Sequence, residues 1–513
     1  MTGFSRRGAC PALSAPMQTG DGLLVRINPL VGELTPNTLI GLCESAARHG
    51  NGIVEVTARG SIQIRGLTEE SACLLAEEVD TLGIAVRSGV PVDTSPLAGI
   101  DPEEVVDPAP LAAAIRTGIE AAGLASRLGP KVSVVVDGCG QIRLGAIMGD
   151  VRLVAADAER WRLSVAGDET STRLVGEFDA DAACRATLDM LHAIAALGRQ
   201  GRARDLKPEA LRAAIAGFEA SRSFAPPSVL PDISPARGEI GSSAGSAHLK
   251  ALRMGGDGDG SLISPLAGEM SGRTEGGGKD RDLNDQPSPK AADSNHEHSA
   301  ATDSSPIGIF PLTGARIALG IALPFGSVDA PTLTKFSQAA KAAGATGIRP
   351  APGRTLLVMG LDRTAAATLT STAQSLRFVT SPADPRIRIA ACPGAPACAS
   401  GIIAARDVAS NIATKIGDDL DPTLSLHVSG CAKGCAHPGP AALTIVGDEK
   451  GAAFVVGGTA KGLPASYTAG YEAARGMGRL MKLLAQERKP DENAAACLAR
   501  LGAKRLAQAL AQE

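Results

Sequence analysis

Apolar and polar residues alternate along residues 53–65. Val54, Val56, Ala58, Ile62 and Ile64 share one parity; Glu55, Thr57, Arg59, Ser61, Gln63 and Arg65 share the other. A strand sends the two sets to opposite faces. One face predicts core. The other carries two guanidiniums, an amide and hydroxyls, and reads equally as a solvated sheet face or as a wall for an anionic ligand. Upstream, LLVRI predicts a strand, and Thr35 with Pro36 predicts the start of a helix running to about His49. Residues 68–130 read as mainly helical, broken at Pro91, Pro96, Pro102, Pro108 and Pro110. LGPKVSVVVDGCGQIRLGAI predicts a strand, a Gly turn and a second strand, and residues 151–225 predict strands and an Ala-rich helix near 182–197.

The pattern stops at residues 226–305, which are rich in Ser, Gly, Asp and Pro. Such a stretch buries too little apolar surface to order itself and predicts a disordered linker. GGDGDG lacks the spaced ligands and closing Glu of a calcium loop, and His296 and His298 read as solvated. The pattern then restarts. Residues 37–67 align without a gap on residues 331–361, an offset of 294: Gly50 meets Gly344, Gly66 meets Gly360 and Leu67 meets Leu361. KVSVVVDGCG resembles TLSLHVSGCA further on. The chain therefore reads as a tandem duplication joined by a linker. From Tyr471 onward it predicts helix.

Composition narrows the function. A chain of 513 residues has room for two to four domains. A net charge of −3 and twelve aromatic residues (nine Phe, two Tyr, one Trp) argue against nucleic acid as a partner. No apolar run reaches membrane-spanning length. Ten cysteines without a secretory leader point to a reducing compartment, the cytoplasm.

The chemistry concentrates in residues 386–447. Cys392 and Cys398 are separated by five residues, and Cys431 and Cys435 by three. Each pair follows a short β-type run, IRIAA or LSLHV, so two strand ends can bring both loops to one point. Four thiolates suit zinc or an iron–sulfur cluster; four separate buried thiols is the plain alternative. The five-residue spacing fits structural zinc poorly. Gly394, Pro396, Gly430, Gly434 and Gly439 keep the backbone small beside the sulfurs. Cys139 stands at the Cys431 position of the first copy without companions. Cys10, before Pro11, reads as an incidental thiol or as a ligand, and Cys497 as core or partly exposed. No GxGxxG joins a strand to a helix, so no nicotinamide fold is encoded.

This cysteine pattern resembles the cluster signature of the nitrite and sulfite reductase superfamily. CPGAPAC, SGCAKGCAHPGPAALTIVG and RRGACP are most similar to its precorrin-3B synthase branch, in aerobic cobalamin (vitamin B12) biosynthesis. The resemblance implies an α+β fold: a tandem duplication of ferredoxin-like half-domains and nitrite/sulfite reductase-type α+β domains. Its implied boundaries are 1–225 (half-domain 23–80, cluster-free domain 81–225), linker 226–305, and 306–513 (half-domain 306–380, cluster domain 381–513). It implies a 4Fe–4S cluster on Cys392, Cys398, Cys431 and Cys435, and a mononuclear non-haem iron. It further implies hydroxylation of precorrin-3A by dioxygen with lactone closure, and a monooxygenase fed from NADH by a partner reductase. Arg59 matches the arginine of the family's T-x-R motif, Gln63 the glutamine beyond it, and Lys131 the lysine after the family's proline. Ser133 replaces a second lysine of the siroheme enzymes. With Arg65, Arg349 and Arg354 these form the expected tetrapyrrole-carboxylate set. No facial His pair with a carboxylate is readable for the second iron. His437 and Lys433 are the catalytic candidates, although both residue types also fit hydrogen-bonding or solvated roles; His427 lies on a strand. Alternative functions are a siroheme sulfite or nitrite reductase, and a non-catalytic iron–sulfur electron carrier.

Overall fold

A computed structural model describes residues 11–30, 32–209, 211, 305–417 and 419–511. Cys10 and the expected linker, apart from Ser305, lie outside them.

Two sheets repeat one β-α-β-β pattern. The first runs, in spatial order, Met17–Thr19, Gly22–Ile27, Ile62–Leu67, Ile53–Val56 and Ser327–Asp329. The second runs Gly308–Leu312, Arg316–Ala322, Thr355–Leu361 and Gly347–Ala351. Helix Pro36–His49 begins where expected, with the Thr35 hydroxyl accepting from the Thr38 N–H. Its counterpart Ala330–Ala342 is capped by Asp329. Both helices and both sheets share one core, including Leu39, Leu42, Ile64, Leu333, Phe336 and Val358.

The halves also exchange backbone. Val328 pairs with Val54 on the edge of the first sheet. Leu34 and Ile348 exchange N–H···O bonds of 2.9 and 2.7 Å. One pair is the other shifted by 294 residues (34 to 328, 54 to 348), so the repeat offset reappears as a pseudo-two-fold relation.

Two further sheets also repeat. One orders Val92–Thr94, Val134–Asp137, Gly149–Ala155, Trp161–Gly167 and Arg173–Phe178. The other orders Ile389–Ala391, Leu426–Ser429, Ala441–Asp448, Gly451–Gly458 and Ser466–Thr468. In each, the first three strands are parallel and the rest antiparallel. Helices Ala109–Ala121 and Ala180–Ala196 contribute to the core of the first, and Ala405–Ile416, Ala473–Glu487 and Ala494–Ala511 to that of the second.

Three sequence expectations are corrected. The alternating stretch 53–65 is two antiparallel strands, Ile53–Val56 and Ile62–Leu67, because a turn closed by the Thr57 N–H donating to the Ser61 carbonyl at 2.9 Å separates them and leaves Ala58 exposed instead of in the core. Val92–Thr94 is a strand inside a stretch read as helical, because it adds a parallel edge beside Val134–Val136. QIRLGAI is loop, and the next strand begins at Gly149. Side chains replace the ladder there: Asp137 accepts from the Leu144 N–H at 2.7 Å, and the buried Arg152 guanidinium donates to the Leu144, Gly145 and Ile147 carbonyls.

The halves cross over. The second half-sheet packs Phe310, Leu312, Leu357 and Met359 against Leu97 and Ile142 of the first half. The polar face of the first half-sheet packs against the cysteine-bearing part of the second half. Glu55 and Arg65 are accordingly buried, at 3% and 5% exposure, so this part of the face is neither solvated nor open, whereas Arg59, beyond the end of strand Ile53–Val56, is exposed.

Candidate active site around four cysteines

Parallel pairing explains how the two cysteine loops meet. Ala391 lies opposite Val428 in neighbouring parallel strands. Cys392 and Gly430–Cys431 therefore leave the same sheet edge, at the carboxyl ends of the strands, where open α/β sheets place ligands. The Gly430 N–H donates to Cys392 Sγ at 3.1 Å. The Ile402 N–H donates to the Gly430 carbonyl at 2.7 Å, and the Cys398 N–H to the Gly394 carbonyl at 2.8 Å. The glycines permit this approach: a Cβ on Gly430 would lie 2.8 Å from Gly394 Cα. A Cβ on Gly20, from the first half, would lie 2.3 Å from the Ala399 nitrogen and 2.6 Å from the Cys398 carbonyl carbon.

The four thiols share one electrostatic neighbourhood. Burial first, then the charges of Cys392, Cys431 and Cys398, push the Cys435 thiol up. Yet no three His, Cys, Asp or Glu side chains among the described residues group closely enough to hold a metal ion. Zinc needs its ligands about 2.0–2.3 Å from one centre. Four thiols on two facing loops are the donor set of a four-iron cube. The soft thiolate set and the Gly430 N–H aimed at a sulfur suit that group. No group of three His, Cys, Asp or Glu side chains among the described residues marks a place for a mononuclear iron.

Two arginines hold the loops, Arg65 on a strand of the first half-sheet and Arg354 in the turn between strands Gly347–Ala351 and Thr355–Leu361 of the second. Arg65 donates to the Ala397 carbonyl at 2.6 Å, beside Cys398. Arg354 donates to the Ala436 carbonyl at 3.0 Å, beside Cys435. Arg65 also grips Asp21 through Nε and Nη2, at 3.0 and 2.8 Å. Glu55 lies 3.6 Å from Arg65 and 2.6 Å from Arg406, the second residue of helix Ala405–Ile416. Burial opposes the charge on Asp21, but hydrogen bonds from Arg65 and Thr19 hold its carboxyl below the usual range. Burial likewise opposes the charge on Arg65, while Asp21, Glu55 and Cys398 raise its pKa. Burial, reinforced by Arg406, lowers that of Arg354.

The expected carboxylate binders fall into two groups. Gln63 and Arg65 have their polar groups occupied within the protein; the Gln63 amide bridges Arg26 and Glu55. Arg354 is turned onto the cysteine loop. Arg349 pairs with Glu33 and donates to the Pro96 carbonyl, both at 2.6 Å. Arg59 is 38% exposed and binds Asp93, the Ser133 hydroxyl and the Met148 carbonyl. Lys131 is exposed. Lys433 reaches Ser400 on the opposite cysteine loop, and His437 Nε2 lies 3.1 Å from the Pro440 carbonyl.

Sequence reading overlooked Arg406, Asp21 and the packing role of residues 19–22. The signal was Glu55, an acid on a face otherwise read as cationic.

Comparisons with known proteins agree with this architecture. A family model for the nitrite/sulfite reductase ferredoxin-like half domain matches residues 15–82. The structure of Mycobacterium tuberculosis NirA protein superposes with a TM-score of 0.61 at 18% identity, covering 94% of this chain and 84% of that one, which shows a common fold. A Sinorhizobium protein named precorrin-3B synthase is 35% identical over 511 residues, 99% of this chain and 95% of its own length. The chain belongs to the precorrin-3B synthase family, on the nitrite and sulfite reductase fold.

Proposed function

We propose that this oxidoreductase is an oxygen-dependent tetrapyrrole hydroxylase, turning precorrin-3A into precorrin-3B with lactone closure in aerobic cobalamin biosynthesis. The observation that carries the reading is the full-length 35% identity to a relative bearing that name. The meeting of two cysteine loops at one sheet edge supports it.

In this reading Cys392, Cys398, Cys431 and Cys435 hold a 4Fe–4S cluster. When bound, the cluster supplies single electrons. Hydroxylation of a C–H bond by dioxygen needs two electrons and two protons, with the second oxygen atom leaving as water. NADH, through a partner reductase, is the proposed source. No step is assigned to a mononuclear iron. The chain's own groups bind and orient: Arg59, Lys131 and Arg349 are the proposed contacts for the ring's carboxylates, to which charge-assisted bonds are strong and directional. Lys433 and His437 are the proposed proton-handling groups beside the loops. Arg65 and Arg354 hold the loops themselves. The division at 23–80, 81–225, 306–380 and 381–513 is the proposed domain organisation.

Anaerobic incubation with precorrin-3A and reductant, followed by an oxygen pulse, tests the reading. The expected result is a hydroxylated lactone with matching oxygen uptake. Purified protein carrying siroheme bands and reducing sulfite or nitrite would replace it with the reductase reading. A cluster without turnover would leave an electron carrier.

A further inference from the structure

His427 is fully buried, and neither ring nitrogen finds a hydrogen-bond partner among the described residues. Native proteins rarely leave a buried polar group unmatched, since the group loses its water and gains no partner in exchange. The strand neighbours do not relieve it. Ala390, on one side, has no polar side-chain atom. Thr444, on the other, donates its hydroxyl to the Gly458 carbonyl at 2.8 Å.

Leu426 and Val428 belong to the apolar core. Alternation therefore sends His427 to the opposite face, beneath the Cys431–Cys435 loop. Its Cε1 lies 3.6 Å from where a Cβ on Gly434 would stand, inside that loop. Its ring meets the His437 ring edge-on, with centroids 5.7 Å apart. Burial first, then the charges of His437 and Arg354, lower its pKa to about 4. A neutral imidazole carries one N–H donor. No described cysteine sulfur is a hydrogen-bond partner of either ring nitrogen; the sulfides of a bound cluster are acceptors, and hydrogen bonds to them tune the potential.

We propose that His427 donates its N–H to an inorganic sulfide of the bound cluster from beneath the Cys431–Cys435 loop. It is a positioning residue that raises the cluster's potential by stabilising the more negative, reduced state. This rests on the cluster reading above.

The test uses full-length protein purified without oxygen, as wild type, His427→Leu and His427→Gln. Iron and sulfide are counted first, then midpoint potentials are measured by titration followed by paramagnetic resonance. The expected result is equal cluster content, a more negative potential in His427→Leu, and recovery of most of the shift in His427→Gln, which keeps an N–H. An exchangeable-proton coupling to the reduced cluster should be present in wild type and lost in His427→Leu. Equal potentials and an unchanged coupling would overturn the assignment while leaving the cluster intact. If His427→Leu does not fold, ¹⁵N-histidine labelling of protein with native His427 decides. A nitrogen coupling that persists in His437→Leu supports the contact, and its absence overturns it. Wild-type protein without iron and sulfide overturns the cluster reading and this inference together.

Discussion

The Arg65 guanidinium reaches the Ala397 carbonyl at 2.6 Å across 332 residues of sequence. It thereby ties the first half-sheet to the loop that carries Cys392 and Cys398. Replacing Arg65 by Met leaves Asp21 and Glu55 buried with fewer partners. Breaking a buried pair costs about 3–5 kcal/mol, because the remaining charge is uncompensated. Arg65→Met should lower the denaturant midpoint and reduce iron and sulfide content. Unchanged stability with weakened substrate binding would instead return Arg65 to the carboxylate wall.

Arg59 should behave in the opposite way. It is more than a third exposed, and its ion pair with Asp93 at 2.8 Å is worth little to the fold. Arg59→Ala should weaken binding of the polycarboxylate substrate roughly tenfold or more, the loss of one charge-assisted bond. Its unfolding free energy should change by less than about 1 kcal/mol. Paired binding and denaturation curves measure both.

Glu104 predicts a pH dependence. Its Oε1 is buried without a hydrogen-bond partner, and Oε2 accepts from the Gly99 N–H at 2.9 Å. Burial first, then Asp107, Asp101 and Asp137, raise its pKa to about 7. Between the ordinary glutamate value of about 4.3 and 7 the folded state binds more protons than the unfolded chain, so stability falls as pH rises. Glu104→Gln should raise the thermal midpoint at pH 8 and leave it nearly unchanged at pH 4. Equal gains at both pH values would contradict this.

Cys139 tests what the duplication kept. It occupies the place of Cys431, but Ser95 follows the strand where Cys392 follows its counterpart. Burial first, then Asp137, raise its thiol to about 11. Cys139→Ala should leave iron and sulfide unchanged. A loss of iron in this variant would place part of the metal site in the first copy.

Local patterns carried much of this architecture. The Thr35–Pro36 helix start, the alternation at residues 53–56 and 62–65 and the 294-residue offset are short-range or periodic signals, and each corresponds to a structural feature; the turn at 57–61 does not continue the alternation. The destination of the polar face was not legible. Alternation separates two faces, but it does not say whether the second meets water, a ligand or another part of the chain. The loop at 138–148 was misread because Arg152 and Asp137 satisfy its backbone from a distance. The crossing of the two halves, which sets Arg65 beside Ala397, follows from tertiary packing between segments hundreds of residues apart.

The central claim is that Cys392, Cys398, Cys431 and Cys435 bind one cluster. Iron and acid-labile sulfide counting, with paramagnetic resonance of the reduced state, tests it on anaerobically purified wild type and Cys398→Ser. Wild type should hold about four irons and four sulfides per chain with a cluster signal, and Cys398→Ser should lose both. Wild type lacking sulfide, or Cys398→Ser retaining the full content and signal, would contradict it.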